Sequence, residues 1–72
     1  MTNTKKLKGK LAENGETIQT LAKKLNMSAP TLSYKINNKS EFSATELKSL
    51  LEILNIEDSD IRKIFFADNV AI

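Results

Sequence analysis

Apolar residues recur along this chain at three- and four-residue intervals, the spacing that lines one face of a helix. Leu7 and Leu11 form a first stripe, and Leu21, Ala22 and Leu25, with Ile18 in the same period, form a second. Leu32 and Ile36 make a third, Leu47, Leu50, Leu51 and Leu54 a fourth, and Ile61, Ile64 and Phe65 a fifth. The pattern predicts five short helices in a single all-α domain spanning residues 1–72.

Polar punctuation sets the expected boundaries. The first helix is predicted from near Thr4, itself a candidate cap, to Asn14, with Gly15 just past its end. Gly9 lies inside it at a cost of about 1 kcal/mol relative to alanine. The second helix runs from Thr17, as N-cap, through Leu25. Ala22 is the small residue that lets the third helix approach. Proline fits the first turn of a helix and biases the residue before it away from helical backbone, so the third helix is expected to start at Pro30. Asn26 and Asn38 are placed where a left-handed residue ends a helix, and Ser28 is set to cap the third. Ser43 and Glu46, in S-A-T-E, carry the capping-box signature that opens the fourth helix. The fifth is expected from Ser59 to Ala67, after an acidic turn favourable to its dipole. Met27 and Phe42 read as core residues supplied by loops. Phe66 lies off the inner face of the fifth helix, and the apolar tail 67–72, with Val70 and Ile72, is expected to fold back or to meet another chain.

The stretch TIQTLAKKLNMSAPTLSYKINN, from Thr17 to Asn38, is two short helices around a tight turn. Helices of this length are not stable alone, so the others must give them a floor. With Leu32 and Ile36 pointing inward, the outward face of the third helix centres on Pro30 and Tyr34, flanked by Thr31, Ser33 and Asn37.

Composition removes several chemistries. The chain has 72 residues with no cysteine and no histidine, which excludes disulfides, the usual zinc ligands, a cysteine nucleophile and a histidine base. No Gly-rich phosphate loop and no paired nucleophile and base are present, so neither an enzyme nor a cofactor or small-molecule substrate is expected. Glu57, Asp58 and Asp60 lack the glycine turn of a calcium loop and read as helix-start acids, with no metal. The opening MTNTKKLKGKL is neither a signal peptide nor a membrane span, which predicts a cytoplasmic protein without membrane contact.

Charge is the informative term. Residues 1–40 carry eight lysines against Glu13 and Glu16, a net of +6, whereas residues 41–72 carry three basic and seven acidic residues, a net of −4. A polyanion would be drawn to the half that holds the paired helices and repelled by the other.

LAKKLNMS followed without a gap by TLSYKINNKS resembles the helix-turn-helix domain of phage repressors and Cro proteins: Leu-Ala, an apolar residue three positions on, a turn, and a helix ending before a lysine. The closing IRKIFFAD is similar to short phage-encoded members. The resemblance implies a compact five-helix bundle of the lambda-repressor-like type, with the helix-turn-helix at about residues 17–38. It also implies a transcriptional regulator that binds double-stranded operator DNA in a bacterial host, in a switch between lysis and lysogeny. Its third helix would lie in the major groove, bringing Ala29, Pro30, Thr31, Ser33 and Tyr34 toward base edges. Thr17, Gln19, Lys35, Asn37, Asn38, Lys39 and Ser40 would hold the DNA backbone. Asn26 and Asn38 stand where the family commonly has glycine, Ile18 where many members have glutamine, and Ala29 and Pro30 where polar base readers are common.

None of the groove-facing residues forms the bidentate base pairing of arginine, asparagine or glutamine. That deficit motivates a second expectation, a phage modulator or antirepressor that uses the same fold to bind a repressor protein. Its contact surface would include Ile18, Pro30 and Tyr34. A homodimer would use Phe66, Val70 and Ile72.

Overall fold

The computed structural model describes residues 1–66 of the chain. It contains α1 (Thr4–Glu13), α2 (Ile18–Lys24), α3 (Ala29–Ile36), α4 (Ala44–Ile53) and α5 (Asp58–Phe65), with no strand among the described residues. The expectations placed on the apolar tail, Val70 and Ile72 included, lie outside those residues.

Every stripe read from the sequence contributes to one core. Leu7, Leu11, Leu21, Ala22, Leu32, Ile36, Leu50, Leu54, Ile64 and Phe65 are all buried, and no polar or charged residue is buried with them among the described residues. Ile18, Leu25, Met27, Phe42, Leu47, Leu51 and Ile61 pack around them half-buried. Phe42 is the anchor of the loop between α3 and α4, its ring meeting that of Phe65 edge to face at 6.3 Å. Ile56, which belongs to none of the five stripes, is buried too. Its position explains this, for it follows a left-handed Asn55 as Met27 follows Asn26.

The first four helices end in the same way. Gly15, Asn26, Asn38 and Asn55 have φ of 66°, 58°, 65° and 51°. In each case the next residue donates its N–H back five residues: Glu16 to Leu11, Met27 to Ala22, Lys39 to Tyr34 and Ile56 to Leu51. These paired closures satisfy carbonyls that the helix ends leave open, and asparagine serves where glycine is usual.

Helix α5 ends at Phe65, with Phe66 as its C-cap, rather than at Ala67, and three helix starts also differ from expectation. Asn3, not Thr4, caps α1 by accepting the Lys6 N–H at 3.1 Å. The Thr4 hydroxyl is drawn away by a distant partner, donating to the Ile36 carbonyl at 2.8 Å. Helix α3 starts one residue earlier than Pro30, at Ala29, because Ser28 caps it by accepting the Thr31 N–H, and this outweighs the pre-proline bias. Helix α5 begins at Asp58 rather than Ser59, behind Glu57, which makes no side-chain cap. Asn14 is the C-cap of α1, and its side-chain amide donates to the Lys10 carbonyl at 2.8 Å and across to the Leu54 carbonyl at 2.9 Å. The capping box of α4 forms as the sequence predicts. No helix among the described residues is long and apolar enough to cross a membrane.

Candidate nucleic-acid interface

Helices α2 and α3 present the surface to be tested, and local chemistry fixes both of their starts. At α2 the Thr17 hydroxyl accepts the Thr20 N–H at 3.1 Å, while the Thr20 hydroxyl accepts the Thr17 N–H at 2.8 Å. Thr17 is therefore occupied as a cap. Thr20 also donates to Glu16, which pairs with Lys24, and these two contacts, Lys24 first, hold the Glu16 carboxyl below its ordinary range. Gln19 is exposed. Ile18, expected on a protein-binding surface, is half-buried against the core.

On α3 the outward set is narrower than expected. Pro30, Thr31 and Tyr34 are exposed, Tyr34 by 58%. Ala29, expected to face bases, is half-buried against the core. The reason is periodicity, since Ala29 lies three residues before Leu32 and seven before Ile36 and so falls on their stripe. Ser33 is half-buried and receives the Asn37 side-chain amide, which donates to the Ser33 carbonyl at 2.9 Å.

Residues expected to meet the DNA backbone divide into two groups. Lys39 and Ser40 are exposed, with the Lys39 ammonium 5.6 Å above the centre of the Tyr34 ring. Lys35 and Asn38 are engaged within the fold. Lys35 pairs with Glu46, and its side chain is only 14% exposed. Asn38 turns its amide to the backbone of Thr2. Neither contact was legible locally, because the partners lie 11 and 36 residues away.

Glu46 links this surface to α4. Its carboxylate accepts the Ser43 N–H at 2.9 Å as well as the Lys35 contact. The Lys35 ammonium, and after it the Ser43 backbone, hold the Glu46 carboxyl below its ordinary value of 4.5. Because the folded-state pKa is the lower one, this stabilisation is complete above the unfolded value and disappears as pH falls through the folded value. Replacing Glu46 with glutamine is expected to flatten part of the loss of Tm as pH falls below the ordinary carboxyl value of 4.5. A parent and variant with superimposable Tm profiles would contradict the assignment.

The basic half remains electropositive at its surface. Lys10, Lys24 and Lys35 pair with carboxylates, whereas Lys5, Lys6, Lys8, Lys23 and Lys39 are exposed. Asp60, weighed as part of a cation site with Glu57 and Asp58, instead meets Lys10 at 3.2 Å. That contact and Glu13 raise the Lys10 pKa. No group of three or more metal-ligating side chains occurs among the described residues. Phe66 is 43% exposed and lines a groove with Met1, Phe42 and Phe65.

These features define a small all-helical domain whose turn-linked second and third helices carry an exposed aromatic and a lysine-rich edge. Residues 2–68 match the family described as Protein of unknown function (DUF739), and the chain belongs to that family. No curated protein matches the chain significantly.

Proposed function

We propose that this chain is a small transcriptional regulator of the Cro type, a bundle of the lambda-repressor-like kind that occupies operator DNA through α2 and α3. The observation that carries the reading is the exposed face of α3, with Pro30, Thr31 and Tyr34 outward and Lys39 at its exit. A helix of this length, seated on a preceding helix by a tight turn, suits the major groove. Lys39, Ser40 and Gln19 would position the phosphates, and Thr31 and Tyr34 would meet base edges. Ser28 contributes by capping α3, its hydroxyl also donating to Thr31 at 2.8 Å. Such a protein works without catalysis, in the cytoplasm of a bacterial host.

The deciding experiment is a binding isotherm on phage-type operator duplexes at several salt concentrations. Backbone neutralisation requires the logarithm of affinity to fall linearly with that of salt. Affinity indifferent to salt, or no binding at low salt, overturns the reading.

A second reading is favoured by one specific feature. The exposed centre of α3 is a proline and a tyrosine, with no arginine, asparagine or glutamine presenting a bidentate pair to bases. Aromatic anchors of this kind are typical of protein contacts. On that reading the chain is a phage modulator that binds a partner repressor. Tyr34→Ala separates the two: loss of the DNA shift alone supports operator binding, and loss of a co-purifying repressor supports the modulator. Phe66 would serve a homodimer in either case.

A further inference from the structure

We infer that Asn38 is a latch for the amino-terminal segment, and that this fastening, rather than a phosphate contact, sets how the exit loop of α3 is presented to DNA. The Thr2 N–H donates to Asn38 Oδ1 at 2.8 Å, and Asn38 Nδ2 donates back to the Thr2 carbonyl at 2.9 Å. Both backbone groups of one residue are thus held by one side chain. A left-handed backbone alone does not require this, since Gly15 closes α1 at nearly the same φ with no side chain.

The segment held by the latch touches two helix ends. Asn3 donates its N–H to the Ile64 carbonyl, the Met1 amine donates to the Phe65 carbonyl at 3.3 Å, and Thr4 Oγ1 donates to the Ile36 carbonyl. Residues 1–4 therefore bridge the carboxy-terminal ends of α3 and α5, using carbonyls that have no partner inside their own helices. Lys39 follows Asn38 directly, so the latch fixes the first residue of the loop that carries the exposed ammonium. Turning the Asn38 amide toward a phosphate would break both bonds to Thr2. The part concerning DNA rests on the operator reading; the latch itself does not.

Two variants test it from opposite sides. Asn38→Gly removes the side chain and keeps the backbone conformation, while Thr2→Pro removes the N–H held by the latch and keeps Asn38 intact. Amide hydrogen exchange at Asn3 is the direct readout. Each variant is expected to speed it by about tenfold, with the double variant no faster than the singles. DNA affinity should fall by a similar factor in both singles at an unchanged salt slope. Unaltered Asn3 exchange in Asn38→Gly overturns the latch and leaves asparagine as a mere stand-in for glycine. Weakened DNA binding in Asn38→Gly with normal binding in Thr2→Pro overturns the positioning role in favour of a direct contact. If the parent chain binds no DNA, the operator reading and the positioning role fail together, and the exchange result still decides the latch.

Discussion

Leu32→Ala is expected to lower the stability of the domain by about 3 to 5 kcal/mol, the usual range for deleting a fully buried leucine. Leu32 has no exposed surface, and with Ile36 it is one of only two fully buried side chains that seat α3. A 72-residue domain has a total stability of about 4 to 11 kcal/mol, so the variant loses from roughly a quarter to all of it, and at the lower end of that range it unfolds at room temperature. Urea unfolding followed by helical circular dichroism measures this. A loss under about 1 kcal/mol would mean that α3 is not held by this core. The consequence reaches function, because the candidate interface is the outer side of the helix that Leu32 fixes.

The second large effect is a contrast between two lysines four residues apart. On the proposed operator-binding reading, Lys39→Ala is expected to reduce the salt slope of DNA binding by about one unit, because an exposed ammonium that neutralises a phosphate releases a counterion. It also removes the cation over the Tyr34 ring. Lys35→Ala is expected to leave the slope unchanged and to lower thermal stability, since its ammonium is already neutralised by Glu46. Titrations of both variants against one duplex at four salt concentrations give the comparison. Equal slopes for the two variants, or a reduced slope for Lys35→Ala alone, would refute this division of labour.

What was legible in the sequence depended on range. The five stripes, the Ser43–Glu46 box and the left-handed Asn26 and Asn38 are encoded within a few residues of themselves, and the structure contains all of them. Thr4 has the composition of a cap, but a carbonyl on another helix claims its hydroxyl. Lys35 and Asn38 look like backbone ligands by position, and only the tertiary arrangement turns them toward Glu46 and Thr2. The inward place of Ala29 is encoded in its spacing to Leu32 and Ile36, which the pre-proline bias of Pro30 does not override. In each case the sequence fixes the local preference and a long-range contact chooses among the uses of a polar group.

Asn14 gives the fold a bearing on the covalent lifetime of the chain. An asparagine followed by glycine is open to attack by the glycine nitrogen on the side-chain amide carbon, which expels ammonia and closes a succinimide ring that water then opens to an acid. Here the Gly15 N–H is engaged with the Ala12 carbonyl, and the Asn14 amide is held between the carbonyls of Lys10 and Leu54. The same bonds that join α1 to the end of α4 therefore guard this position against chemical ageing. Were the amide lost, the NH2 group that donates to both carbonyls would become an acceptor oxygen facing them, and the junction would repel itself. Folding thus preserves the side chain that the fold uses.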